Sequence, residues 1–366
     1  MERLRLAVVG VGHLGKEHAR ILAGLSGVEL VGVADARAEQ AEAVARRCST
    51  RPFTDHRQLL AESLDAAVIA VPTVHHHAVA ADYLRAGVAL LVEKPLASTL
   101  AQADELVDLA RRAGVLLQVG HVERFNPAFE QLSRRPLQPK LVTCQRLSPF
   151  SGRSLDIGVV LDLMIHDLDL LLALVRAPVR DVSAVGLSLL SGHEDLAQAY
   201  LTFESGCVAH LSASRAHTAP VRRMEVWAPE GFVAADYHRR RLTLVQPSAQ
   251  LRRQQARPRP LDETVLASLR SDLFGRYLEK IELDCSGNGP DQLTRELAEF
   301  VTSVRTGAPV RVPGEQGRDA LALADRILDS LRRHTWEGRA GGPAGPSSFP
   351  PPLGPLFPTR EPGVAA

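Results

Sequence analysis

The segment "LRLAVVGVGHLGKEH", residues 4–18, constrains the fold more than any other stretch. Its apolar run at 4–10 suits a strand buried on both faces, as in a parallel sheet. The run leads into Gly10, Gly12 and Gly15, spaced G-x-G-x-x-G, and "KEHARILAGL" then reads as a helix. A parallel neighbour is reached only through a crossover, so this start commits the chain to alternating strands and helices. "VELVGVAD" (28–35), "RPF", "LDAAVIAVP" (64–72), "VALLVEKP" (88–95) and "VLLQVGH" (115–121) read as the further strands. "AEQAEAVARRC", "HHAVAADYLRAG" and "LAQADELVDLARRAG" read as helices, the last closed by Gly114. The expectation is an α/β fold, with a doubly wound parallel sheet of Rossmann type over residues 1–121.

Beyond residue 121 the rhythm breaks. "GVVLDLMIHDLDLLL" (158–172) reads as an apolar helix interrupted by Asp162, His166, Asp167 and Asp169. "DVSAVGLSL", "DLAQAYLTFES", "CVAHLSASR", "RRMEVWAP", "GFVAADYH" and "RRLTLVQP" then follow one another without helices between them. Consecutive strands of this kind predict an antiparallel sheet, here in an α+β domain over 122–336. The proline-broken "RRQQARPRPLDE" (252–263) reads as a mobile loop, and two amphipathic helices follow it. The Pro/Gly-rich residues 337–366 cannot bury a core and read as a disordered tail.

Lys and Arg total 43 against 42 Asp and Glu, a net charge of +1. Nucleic acid or an anionic membrane as principal partner therefore has no electrostatic basis. The four cysteines are scattered without a CxxC, which fits a reduced, cytoplasmic setting. No stretch is apolar for long enough to span a bilayer, and a strand beginning at residue 4 leaves no room for a signal peptide.

The glycine spacing, placed between a buried strand and a helix, predicts a bound dinucleotide. Gly10 makes the tight turn, Gly12 lets a pyrophosphate approach bare backbone, and Gly15 allows close helix–strand packing. His13 and Leu14 lie in the same loop. Asp35 ends the next strand twenty residues after Gly15, where a carboxylate can accept from a ribose diol and repel a 2′-phosphate. NAD is therefore favoured, with NADP kept open by Arg37. Pro72 and His76 follow the fourth strand, and Glu93 and Lys94 end the fifth; all four lie at the carboxyl edge where open α/β sheets bind ligands. His75 and His77 read as a polar helix start, since consecutive helical residues cannot converge on one metal.

In a regular helix Asp162, His166 and Asp169 would share one face, with Asp167 pointing elsewhere. Three readings of that face stay open: a catalytic imidazole with a substrate-holding carboxylate, a buried polar network, or a divalent metal site. For Asp169 the polar network is preferred. Arg124, in "VGHVERFNPAF" (119–129), suits either a diphosphate or an interdomain salt bridge, and Asn126 lies beside it.

Together, "GVGHLGKEH", "VPTVHHHA", "EKP" and the D-x-x-x-H-x-x-D of "DLMIHDLD" resemble the Gfo/Idh/MocA oxidoreductases over about residues 4–335. The resemblance implies a Rossmann domain, a C-terminal domain with a large open antiparallel sheet, and NAD(P)-dependent chemistry on sugars, polyols or sugar nucleotides. It implies Lys94 and His166 as catalytic residues and Asp162 as substrate-binding; Arg124 and Asn126, just past the sixth strand at the mouth of the cleft, are expected to bind substrate as well. The expected cofactor residues are then Gly10, Gly12, His13, Leu14, Gly15, Asp35, Pro72, His76, Glu93 and Lys94, and no metal is expected. The resemblance also implies a homo-oligomer paired through the antiparallel sheet. Met164 departs from the D-x-G-x-H of many members and narrows the expected pocket beside the sugar. "VGHVERFNPAF" is similar to a branch that oxidises the C3 hydroxyl of UDP-N-acetylglucosamine for lipid A-type 3-amino sugars. The alternatives are a free-sugar or inositol dehydrogenase, or a non-catalytic sensor.

Overall fold

The computed structural model describes residues 3–152, 157–189, 193–255, 263–287 and 289–334. The expected tail at 337–366 and most of the expected loop at 252–263 lie outside these residues. The chain divides into two compact units: residues up to Phe125 with Pro290–Asp325, and Asn126–Gly289 with the residues from Arg326.

In the first unit, β1 (Leu4–Val9), β2 (Val28–Ala34), β3 (Arg51–Phe53), β4 (Ala66–Ile69), β5 (Ala89–Glu93) and β6 (Leu117–Gly120) alternate with helices. The helices are α1 (Gly15–Gly24), α2 (Ala38–Cys48), α3 (His56–Leu60), α4 (Thr73–Arg85) and α5 (Leu100–Ala113). All strand pairs are parallel, in the order β3-β2-β1-β4-β5-β6. β4, β5 and β6 are buried at every position, as strands covered on both faces must be. The expected alternation is therefore present, with one addition. Asp55 caps the short α3 by accepting from the Arg57 N–H at 2.9 Å. Strand order reverses between β1 and β4, which makes their carboxyl ends the topological switch point of the sheet.

The second unit opens with α6 (Pro127–Ser133) and β7 (Leu141–Leu147), followed by α7 (Ile165–Val175). Five strands then run in sequence: β8 (Val179–Leu187), β9 (Leu196–Phe203), β10 (Val208–Ser214), β11 (Val221–Ala228) and β12 (Gly231–Asp236). β13 (Arg241–Pro247), α8 (Ala249–Gln255), α9 (Glu263–Asp272) and β14 (Leu278–Asp284) complete it. The eight strands lie in the order β14-β13-β12-β11-β7-β10-β9-β8. Every pair is antiparallel except β7 with β10, so one parallel ladder sits inside an otherwise antiparallel sheet. Burial alternates along β7 and β9, which gives the sheet one packed face and one open face.

The chain then forms α10 (Gln292–Thr306) and α11 (Gly314–Arg333). Leu297, Phe300 and Val301 of α10 join Leu6, Val8, Leu22 and Leu91 in a single core cluster. Residues 290–325 thus return to the Rossmann unit, beyond the boundary read at residue 121, because α10 has its apolar stripe and its partner there. Among the described residues, no helix is long and apolar enough to cross a membrane.

Two glycines of α1 test this packing. A Cβ on Gly15 would lie 1.8 Å from the Gly10 carbonyl oxygen, whereas one on Gly24 would meet nothing within 4 Å. Gly15→Ala should cost on the order of 3 kcal/mol by overpacking. Gly24→Ala should be neutral or stabilise by up to about 1 kcal/mol through helix propensity. Urea unfolding of both variants checks the contrast; equal stabilities would contradict the packing described.

Candidate active site

The turn after β1 is built by close backbone contact. Gly10 has φ +83°, and a Cβ there would lie 2.5 Å from the Val71 amide nitrogen, just past β4. Gly12 faces open space, with nothing within 4 Å of where its Cβ would be. No side chain caps α1, so the positive end of the helix is left for an anion or water. The Asp35 carboxylate accepts from the Val11 N–H (3.1 Å) and the Arg37 N–H (3.0 Å), which fixes it beside the glycine turn. Gln40 holds the same turn from α2, donating to the Val11 carbonyl at 2.7 Å. The largely exposed Arg37 guanidinium lies 3.5 Å from Asp35. His13, Leu14 and Pro72 are exposed around this edge. A bare-backbone cradle, an uncapped helix start and an anchored carboxylate together fit a dinucleotide.

At the end of β5, Glu93 is buried. Its Oε1 lies 2.7 Å from Nε2 of His18, which is fully buried on α1, and its Oε2 accepts the Lys94 N–H at 3.2 Å. Burial pushes the Glu93 carboxyl upward, but the His18 hydrogen bond and the attraction of His18 and Lys94 outweigh it and hold the group below the usual glutamate range. His18 escaped the sequence reading. Its signal was position, since Gly15, His18, Ala19 and Leu22 share the buried face of α1. Lys94 is partly buried and precedes Pro95 through a cis peptide. His76, expected at the cofactor, is buried, with Nδ1 2.8 Å from the Pro95 carbonyl and Nε2 2.9 Å from the Val71 carbonyl. Burial holds its imidazole below the usual histidine pKa, against the pull of the two carbonyls. A neutral ring has one N–H, so it donates to only one of them. In this arrangement His76 links the segments that follow β4 and β5.

In the second unit the expected regular helix at 158–172 is interrupted. Val160–Met164 form a π-helical turn that continues into α7. The wider turn changes the angular relation between Asp162 and His166; both remain partly exposed, while Asp169 is buried with Asp167. The extra residue of the turn shifts the register between Asp162 and Asp169 from that of a regular helix. Asp167 is paired with Arg146 of β7 through two hydrogen bonds of 3.1 and 2.7 Å, both side chains buried. Glu194 holds the start of the turn: its carbonyl accepts from the Val159 N–H at 2.9 Å and its carboxylate from the Val160 N–H at 3.1 Å. The bare Cα of Gly158 leaves the space that this carboxylate occupies, and a Cβ there would displace it. Arg215, paired with the buried Asp195 at 3.3 Å, donates to the Ile157 carbonyl.

Arg124 and Asn126 are both buried. Arg124 donates to Gln316 of α11 at 2.9 Å, and its carbonyl accepts from Arg311 at 3.2 Å. Asn126, expected to meet substrate, caps α6 through the Ala128 N–H (3.0 Å) and donates its amide to the Tyr237 carbonyl (3.1 Å). Both ends of that amide are thus engaged within the protein.

Residues 4–121 match the family model described as the oxidoreductase family NAD-binding Rossmann fold, and 122–234 match the GFO/IDH/MocA C-terminal domain. The UDP-N-acetylglucosamine 3-dehydrogenase of Acidithiobacillus ferrooxidans is 37% identical over 328 residues, covering 89% of this chain and 97% of that protein. A solved structure of that enzyme superposes with a TM-score of 0.79 at 34% identity, covering 90% of this chain and 98% of the other. The scyllo-inositol 2-dehydrogenase (NAD+) of Bacillus subtilis is 31% identical over 257 residues, covering 63% of this chain and 73% of that protein. The fold and the glycine cradle define a Rossmann-type oxidoreductase that takes a nicotinamide dinucleotide. The chain belongs to the Gfo/Idh/MocA family.

The Glu93 pair generates a pH prediction. A carboxyl held below its unfolded pKa adds stability that is present above the unfolded value and is lost as pH falls through the folded one. Glu93→Gln should therefore cost about 2 kcal/mol at neutral pH and flatten the acid limb of the stability–pH curve. Denaturant melts across the acid range measure this; a variant with an unchanged acid limb would contradict an ionised Glu93.

Proposed function

We propose that the protein is an NAD-dependent sugar-nucleotide dehydrogenase that oxidises the C3 hydroxyl of UDP-N-acetylglucosamine to a 3-keto sugar. The reading rests on one observation above all: 37% identity to an enzyme of that name, along 97% of its length. The 3-keto product suits amination to a 3-amino sugar of the lipid A type. A cytoplasmic setting agrees with four cysteines that are all free.

When bound, the nicotinamide supplies the hydride acceptor. The hydroxyl proton must leave as the carbon is oxidised, and an imidazole is the side chain best matched to take it near neutral pH. That role goes to His166. The Lys94 ammonium hydrogen-bonds the same oxygen and stabilises developing alkoxide charge. Asp162 accepts from a neighbouring hydroxyl and orients the ring. His13, Leu14 and Pro72 line the cofactor beside the glycine cradle, and Arg124, held by Gln316 of α11, meets the substrate diphosphate. Asp35 favours NAD over NADP by accepting from the ribose diol.

The open face of the eight-stranded sheet suits a second copy of the chain. Register aligns Val208, Leu141, Trp227 and Phe232 across β10, β7, β11 and β12, and the first three are exposed. An apolar row of this length is what an isologous contact buries.

Purified protein with NAD and UDP-N-acetylglucosamine should form NADH and a 3-keto sugar. His166→Ala and Lys94→Ala should each lower kcat by roughly 100- to 10,000-fold with NAD binding retained. Asp35→Ala should weaken NAD and relax discrimination against NADP. Turnover of inositol or a free hexose without turnover of UDP-sugars would replace the substrate assignment with the activity named for the Bacillus subtilis relative.

A further inference from the structure

The unit that carries α7 has a cavity of about 600 Å³ where α6 and α7 end, within the size range of small-molecule sites. Arg134, Arg135, Lys140 and Arg176 line it, with Ser205 of the β9–β10 turn, and no carboxylate is among its lining residues. Among the described residues, none of these four cations makes an ion pair. Arg176 spends its Nε on the Ala173 carbonyl at 3.2 Å, which answers the negative end of α7 and leaves the rest of its guanidinium. Gln138, also in the lining, donates its N–H to Glu230 outside it at 3.0 Å. The Nε of Arg135 is buried and has no acceptor. A buried donor without an acceptor is costly, and four like charges around a hollow repel one another. Both features are relieved by one kind of occupant.

We propose that this cavity binds a small phosphate-bearing anion. Three guanidinium forks match phosphate oxygens in bidentate geometry, and an ammonium adds a point charge; a single carboxylate would leave most of these donors unused. The site differs in kind from the glycine cradle after β1, which meets phosphates with backbone N–H groups. It is not part of the machinery assigned above, so its occupant is a second ligand rather than the reacting one.

Isothermal titration of the full-length protein with inorganic pyrophosphate, at matched ionic strength, tests the proposal. The wild type should bind, and Arg135→Gln/Arg176→Gln should bind roughly tenfold more weakly or worse. Lys140→Glu, at an exposed position, gives the same loss if the double variant fails to fold. Gly12→Val, in the turn after β1, should leave this binding event intact. Absence of binding to the wild type would overturn the proposal. So would undiminished affinity in the cavity variants, or binding abolished by Gly12→Val alone, which would place pyrophosphate at the dinucleotide loop.

Discussion

The buried carboxylate of Glu93 is the fixed point of the nucleotide-binding unit. A charge removed from water is tolerated only where donors answer it, and here they come from different elements. His18 supplies one from α1, and the Lys94 N–H supplies another at the end of β5. Gly120 of β6 leaves the space: a Cβ there would lie 3.0 Å from Glu93 Oε2. One carboxylate therefore positions α1, β6 and the backbone of Lys94 together. Because α1 also begins at Gly15, pressed against Gly10, the glycine turn and the Lys94 backbone share a rigid support. Positioning of that kind is what lets a side chain act on a reacting atom without a large reorganisation cost.

The second unit uses the same device on α7. Arg146–Asp167 and Arg215–Asp195 are buried pairs, and Glu194 closes the start of the π-helical turn. Buried pairs add little net stability over apolar packing, but removing one partner leaves an uncompensated charge, so each is expensive to break. Their joint effect is to fix the rotation and entry of the segment bearing Asp162 and His166. Extra-residue turns of this type recur at functional sites because they re-aim a side chain without ending the helix.

Much of this was legible in the sequence, for identifiable reasons. Strands buried on both faces leave continuous apolar runs, and the three glycines leave a spacing, so the Rossmann sheet could be read directly. β7 could not. Its inward positions include Arg146, whose partner Asp167 lies 21 residues further on, so the strand looks polar until the pair is known. β14 forms the edge of its sheet and never buries fully, so the alternation of Ile281 and Leu283 with charged residues in "LEKIELD" is short and carries little apolar weight. The return of α10 to the first unit depends on contacts across nearly three hundred residues, and amphipathicity alone does not say which core a helix joins. Residue types at the site were visible, but the commitment of Asn126 and His76 to backbone partners was not, since local sequence carries no record of a distant carbonyl.

The central claim of the proposed function is that the His166 imidazole and the Lys94 ammonium serve one sugar hydroxyl, with the Lys94 backbone anchored by the His18–Glu93 pair. A crystal structure with NADH and UDP-N-acetylglucosamine bound tests it most directly. The account predicts the C3 oxygen within about 3.2 Å of both the His166 ring and Lys94 Nζ, with His18 still bonded to Glu93. A bound sugar whose C3 hydroxyl meets neither side chain would contradict it.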